Sequence, residues 1–76
     1  MKPDIEFKRY IKGNLSQRKE IIFYSNGTKT WFLNGIYHLE NGPAVEWDNG
    51  YKEWFLYGNQ YKDEKHYQEA LKEFKK

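Results

Sequence analysis

Short runs of aromatic and β-branched residues alternate with glycine–asparagine pairs along most of the chain. Every glycine adjoins an asparagine, and from Gly27 onward the glycines recur every seven or eight residues. Asn-Gly pairs favour hairpins because a type I′ turn needs positive φ at both central residues. The pattern therefore predicts an up-and-down antiparallel sheet. Its strands are expected near residues 4–12, 19–25, 28–33, 36–40, 44–48, 51–57 and 60–62.

The pattern changes at Asp63, after which the chain has no glycine, proline or β-branched residue. Apolar residues now recur at the spacing of one helix face, at Tyr67, Ala70, Leu71 and Phe74. Asp63 suits the N-cap, and the lysines Lys72, Lys75 and Lys76 suit the negative end of the helix dipole. We predict an amphipathic helix over residues 63–76 that docks on one face of the sheet and caps it.

A shift of 23 residues aligns the chain with itself. Residues 29–35 and 52–58 share the pattern Lys-x-Trp-Phe-Leu-x-Gly, and the strands before them correspond as well. Periods of 20 to 50 residues are typical of stacked supersecondary units that bury their faces against neighbours. We predict one domain over 1–76, divided into a degenerate first repeat (1–18), two repeats (19–41 and 42–62) and the capping helix (63–76).

Residues 31–44 read Trp-Phe-Leu-Asn-Gly-Ile-Tyr-His-Leu-Glu-Asn-Gly-Pro-Ala. This resembles the repeat W-[YF]-x-N-G-x-x-H-x-E-x-G-P-A of MORN-like proteins, which are common in phages, mobile elements and bacteria. The resemblance covers about residues 20–62, and the second copy keeps only its first half, with Tyr61 in place of the histidine. It implies a mainly β (β+α) fold, an antiparallel β-hairpin meander of about 23-residue repeats closed by one C-terminal helix. It also implies a binding scaffold without a general catalytic role.

Size, composition and charge exclude several functional classes. The 76 residues include no cysteine, so three Trp, seven Tyr and five Phe must supply most of a small core. A net charge of +2 excludes an acidic DNA mimic and is too small to argue for nucleic acid. No stretch approaches about 18 apolar residues, and the N-terminus has no apolar signal-peptide core. We expect a cytoplasmic protein, in the host bacterium if a phage encodes it.

His38 and Glu40 are the strongest candidates for chemistry, because residues two apart share one face of a strand. They could begin a metal site or an acid–base pair. A two-residue turn at 34–35 offers a structural interpretation instead, with Trp31 opposite His38 and Lys29 opposite Glu40 as ordinary cross-strand pairs. No third ligand suggests itself, since the other histidine lies on the predicted helix. We expect no metal and no cofactor.

No motif of nucleophilic catalysis stands out either. Ser16 and Ser25 are the only serines, and neither lies in a G-x-S-x-G elbow. The glycines are spread along the chain rather than clustered in a phosphate-binding loop. We therefore predict that the protein is not an enzyme.

Both repeats carry Trp-Phe-Leu, which is apolar on both faces of a strand, whereas half-exposed strands normally alternate. One short helix cannot cover both faces of a sheet of up to seven strands. Either an aromatic patch stays exposed for a partner, or the sheet curls closed and the rings form its core. In the first case the partner-binding candidates are Phe32, Tyr37, Phe55, Tyr57, Lys29 and Lys52.

The leading functional expectation is a small protein-binding module whose partner is a host protein. The resemblance extends this to a phage or mobile-element inhibitor of a bacterial toxin or defence nuclease, including an anti-CRISPR directed at a nuclease–RNA complex. One alternative is a modest-affinity nucleic-acid binder, because lysines flank the aromatics at Lys8, Lys12, Lys29, Lys52 and Lys62. A homodimer that buries the patch against a second copy is another. Acidic residues on the helix argue against membrane binding.

Overall fold

A computed structural model describes residues 6–13 and 16–74 of the chain. They form the strands β1 (Glu6–Gly13), β2 (Arg18–Tyr24), β3 (Lys29–Leu33), β4 (Ile36–Tyr37), β5 (Val45–Glu46), β6 (Lys52–Leu56) and β7 (Asn59–Tyr61), followed by the helix α1 (Glu64–Phe74). The predicted fold class, an antiparallel hairpin meander with one C-terminal helix, is confirmed. The start of the first predicted strand, and Lys75 and Lys76, lie outside the described residues.

The seven strands form one antiparallel sheet in the order β1-β2-β3-β5-β6-β7, with β4 paired to β3. Among the described residues, β1 and β7 each have a strand on one side only, so the sheet has two free edges. The sheet is therefore open, and the alternative of a sheet that curls closed around its aromatic residues is wrong. The described chain measures 38 × 31 × 15 Å, as expected for one sheet with a helix on one side.

The Asn34-Gly35 pair forms the predicted two-residue turn. Asn34 has φ 51° and Gly35 has φ 84°, and the flanking Leu33 and Ile36 pair directly. Positive φ at both central residues is the signature of a type I′ turn, which asparagine and glycine adopt at little cost. The Asn34 side chain also accepts a hydrogen bond from the Arg18 amide at 2.8 Å, which ties this turn to the start of β2.

The predicted type I′ geometry is wrong at Asn26-Gly27 and Asn49-Gly50, where the glycine alone has positive φ, at 98° and 91°. Each glycine N–H bonds to the carbonyl three residues earlier, at 3.0 Å in both turns. Each asparagine side chain accepts the N–H two residues later, at 2.9 Å in both turns. This is a three-residue turn with a bulge, and the asparagine stabilises it through its side chain. The same hydrogen bonds thus recur 23 residues apart.

The strands predicted at 36–40 and 44–48 are much shorter, at 36–37 and 45–46. The His38 N–H still bonds to the Trp31 carbonyl at 3.2 Å, but the next N–H bonds to the Phe55 carbonyl in β6. The chain thus leaves β3 for β6, and β5 later fills the remaining space between them. Lys29 therefore pairs with Glu46, with 3.6 Å between Nζ and Oε1, and the predicted pairing with Glu40 is wrong.

The helix α1 docks on one face of the sheet, over β6 and β7, as the sequence predicts. The core cluster holds Leu56, Tyr67 and Leu71, with Trp54, Tyr61 and Ala70 packed around it. Tyr67 is fully buried, and its hydroxyl donates to the Leu39 carbonyl and accepts from the Gly42 N–H at 3.3 Å. The helix therefore anchors the loop over residues 38–44. Burial raises the pKa of the Tyr67 phenol.

Asp63 caps the helix as predicted, because its Oδ1 accepts the His66 N–H at 2.9 Å. The bond from the His66 N–H is the largest cause of a lowered pKa of Asp63 in the folded state, and the hydrogen bond to the His66 ring lowers this pKa further. A lowered folded pKa contributes stability above the unfolded pKa, which is lost as the pH falls through the folded value. We therefore expect the helix to lose stability in acid, and we expect Asp63→Asn to make this loss smaller. Circular dichroism measured from pH 7 to pH 2 tests this. The matched control Glu69→Gln should keep the wild-type acid transition, and identical curves for the two variants would contradict the capping role.

Candidate protein-binding surface

The strand register separates the aromatic residues of the two repeats onto opposite faces. Lys29 and Lys52 both pair with Glu46, so Trp31 and Trp54, two residues further along each strand, share the face on which the helix packs. Neighbouring residues of a strand point to opposite sides, so Phe32 and Phe55 lie on the other face. We call these the helix face and the aromatic face.

Three rings form a continuous row on the aromatic face. Tyr37 stacks on Phe32 with 4.9 Å between ring centroids and 24° between planes, and it contacts Phe55 at 4.9 Å and 40°. The geometry follows from the fold, because Tyr37 pairs with Phe32 in β3 and the chain then passes across to β6. Aromatic pairs at this separation contribute about 0.5–1.5 kcal/mol each beyond area burial. We call Phe32, Tyr37 and Phe55 the aromatic row.

The aromatic row is accessible to a partner. Tyr37 is 37% exposed, and the two phenylalanines are half-buried. Burial is the largest cause of a raised pKa of the Tyr37 phenol, and the nearby Tyr24 and the Glu53 carboxylate raise this pKa further. Tyr37 is therefore a neutral hydrogen-bond donor in the middle of an apolar strip.

Polar side chains bound the aromatic row at both ends. Glu20 pairs across the strands with Phe32, and Gln60 pairs with Phe55. These polar groups are held in place, because Arg9 Nε lies 2.7 Å from the Glu20 carboxylate and Gln60 Nε2 donates to Glu53 at 3.1 Å. Protein–protein interfaces typically have an aromatic centre and a polar rim, and the aromatic row has hydrogen-bonded polar side chains at both ends.

The structure does not bring all six predicted binding residues together. Phe32, Tyr37 and Phe55 form the row, but Tyr57 lies on the helix side, where its ring is 4.2 Å from His38 and 5.2 Å from Phe74. Lys29 and Lys52 lie on the helix face, on either side of Glu46. Strand alternation alone would have separated Lys29 and Lys52 from the phenylalanines. The sequence reasoning did not identify Glu20 and Gln60, because only the pairing of strands places them beside the row.

His38 is engaged in the structure of the loop. The residue is 7% exposed, its Nδ1 accepts the Tyr57 N–H at 2.9 Å, and its Nε2 lies 3.2 Å from the Glu40 carboxylate. An accepting Nδ1 carries no proton, so the Nε2–H donates to Glu40. His38 lies opposite Trp31 as predicted, because the His38 N–H bonds to the Trp31 carbonyl. Within residues 6–13 and 16–74, no group of three or more His, Cys, Asp or Glu is placed to hold a metal ion.

Comparison of the chain with protein-family models, with curated proteins and with solved structures finds no match. The resemblance to MORN-like repeats therefore stays a prediction that rests on the motif over residues 31–44 and its partial copy. Among the described residues, no helix is both long enough and apolar enough to cross a membrane.

Proposed function

We propose that this protein is a non-enzymatic binding module that docks the aromatic row on another protein. The observation that supports this best is the contiguity of Phe32, Tyr37 and Phe55 on the face that the helix leaves uncovered. Tyr and Phe are enriched in the cores of interfaces, where a few rings contribute most of the binding energy. The hydrogen-bonded side chains at the two ends of the row, Glu20 and Gln60, would form the polar rim of this interface.

The proposal extends to the kind of partner through the resemblance to MORN-like repeats. We propose an inhibitor encoded by a phage or a mobile element that acts in the bacterial cytoplasm on a defence nuclease, of the CRISPR–Cas or restriction type, or on a toxin. A flat aromatic face on a small, thin protein is suited to covering a functional surface of its target. Inhibition would then be steric, and it would need no chemistry from this chain.

The test is a pull-down of the tagged chain from a bacterial lysate, with and without nuclease treatment, read by mass spectrometry. The proposal predicts one protein captured in stoichiometric amount, insensitive to nuclease, and bound again when both partners are purified. Capture of ribosomal and nucleoid proteins alone, all lost on nuclease treatment and with no partner that survives it, would contradict the proposal. A stable dimer in light scattering that buries the aromatic row would contradict it in favour of self-association.

A further inference from the structure

The helix covers only part of the helix face and leaves a groove of about 630 Å³ over β1, β2 and β3. Its floor is a straight row of side chains, because Tyr10 pairs with Ile21 and Ile21 pairs with Trp31 across three neighbouring strands. One wall is the loop over residues 38–41 with Tyr57. The volume lies within the range of about 300–1,000 Å³ that small-molecule sites occupy. We call this the β1–β3 groove.

Two lysines give one end of the groove an unneutralised positive charge. Lys12 and Lys19 are direct cross-strand partners, both line the groove, and both are exposed. Like charges directly opposite each other destabilise a sheet. In the part of the chain that the structure describes, neither lysine makes an ion pair, in contrast to Lys29 and Arg9. An anion bridging the two ammonium groups would relieve this repulsion.

The wall offers polar groups that can recognise a ligand edge. Glu40 directs Oε2 to His38 at 3.2 Å and to the Tyr57 hydroxyl at 3.4 Å, which leaves Oε1 open to a further donor. Asn41, beside it in the groove lining, supplies both a donor and an acceptor. The carboxylate of Glu40 is held in place by these two contacts and is half exposed.

We propose that the β1–β3 groove binds a nucleotide. Its base would stack on Tyr10 and extend over Ile21 towards Trp31, with its edge facing Glu40 and Asn41. Its phosphate would lie between Lys12 and Lys19. Aromatic faces beside lysines are the recurring means of holding a base and its phosphate. An acidic peptide would use the lysines but not the aromatic residues of the floor. The nucleotide can be free or part of a single strand, since both present the same base and phosphate.

The experiment is a titration of the ¹⁵N-labelled protein with AMP, GMP, CMP and UMP, and in a second arm with an eight-nucleotide oligoadenylate. We expect the shifts to map to Tyr10, Lys19, Trp31 and Glu40. Lys12→Glu should weaken binding about tenfold or more, as expected for loss of a charged hydrogen bond. Tyr10→Ala should weaken it by roughly 5- to 150-fold, the range for loss of one stacked base.

Lys65→Glu is the matched control, because it makes the same change of charge at an exposed residue of the helix that does not line the groove. It should bind as the wild type does, with circular dichroism verifying that each variant is folded. Groove shifts with the mononucleotides support a free nucleotide, and shifts with the oligonucleotide alone support a nucleotide within a strand. The proposal is overturned if neither probe shifts the groove, if Lys65→Glu weakens binding as much as Lys12→Glu, or if an octaglutamate peptide binds equally well.

This inference is independent of the proposed protein partner. The side chains of the aromatic row and of the groove floor project from opposite faces of the sheet; Phe32 also borders the groove, whereas Tyr37 does not. Tyr37→Asp is therefore expected to leave nucleotide binding unchanged. A failure in one assay therefore does not imply a failure in the other.

Discussion

Replacing Tyr67 with alanine is expected to lower the free energy of unfolding by about 3–5 kcal/mol, as for other large buried aromatics. Tyr67 is fully buried, and its ring lies 5.0 Å from that of Trp54 and 6.5 Å from that of Tyr61. A domain of this size has a total stability of about 4–11 kcal/mol, so the change would remove a large part of it. Urea denaturation followed by circular dichroism measures the effect.

Tyr67→Phe separates the hydroxyl from the ring. It leaves the Leu39 carbonyl and the Gly42 N–H without their partner in the half-buried loop. Loss of a buried hydrogen-bond partner costs about 1–3 kcal/mol, so this variant should fall between the wild type and Tyr67→Ala. Tyr51→Ala is the matched control, since Tyr51 is 60% exposed and should change stability by about 0.5 kcal/mol or less. Equal losses for Tyr51→Ala and Tyr67→Ala would contradict the core role of the ring, and wild-type stability of Tyr67→Phe would mean that its hydroxyl does not anchor the loop.

A negative charge on the aromatic row is expected to abolish binding of the protein partner. In Tyr37→Asp the carboxylate would have to be desolvated at the centre of the interface without a counter-charge. Loss of a central interface residue costs about 2 kcal/mol or more, which corresponds to a roughly 30-fold or greater loss of affinity. Phe32→Asp and Phe55→Asp should act in the same direction. The measurement is the amount of partner captured, with thermal unfolding of each variant in parallel.

Two controls locate the binding surface on the molecule. Lys52→Glu changes an exposed residue on the helix face, and Tyr51→Asp changes an exposed aromatic residue outside the aromatic row. Both should keep the partner, and binding lost equally in Tyr51→Asp and Tyr37→Asp would contradict the role of the row. If Phe32→Asp and Phe55→Asp unfold the protein instead of only preventing binding, those two rings act as core.

Local sequence signals predict the elements of this fold well, because they depend on a few neighbouring residues. The Asn34-Gly35 turn follows from the ability of both residues to adopt positive φ, and the helix follows from its apolar spacing and the Asp63 cap. Of the predicted binding residues, Phe32 and Phe55 come from the repeated motif, and strand alternation suffices to place them on one face. Phe74 shows the limit of such signals, since it belongs to the predicted apolar stripe and is 53% exposed.

The sequence by itself thus determined the alternation of short strands and turns, the 23-residue period and the helix with its cap. Only the tertiary structure decided which segments meet. The chain leaves β3 after His38, so Glu46 rather than Glu40 meets Lys29, and Tyr37 reaches Phe55. The physical reason is that β4 and β5 compete for the same position between β3 and β6, where they lie end to end. Such competition depends on contacts between distant residues, and no local pattern reports it.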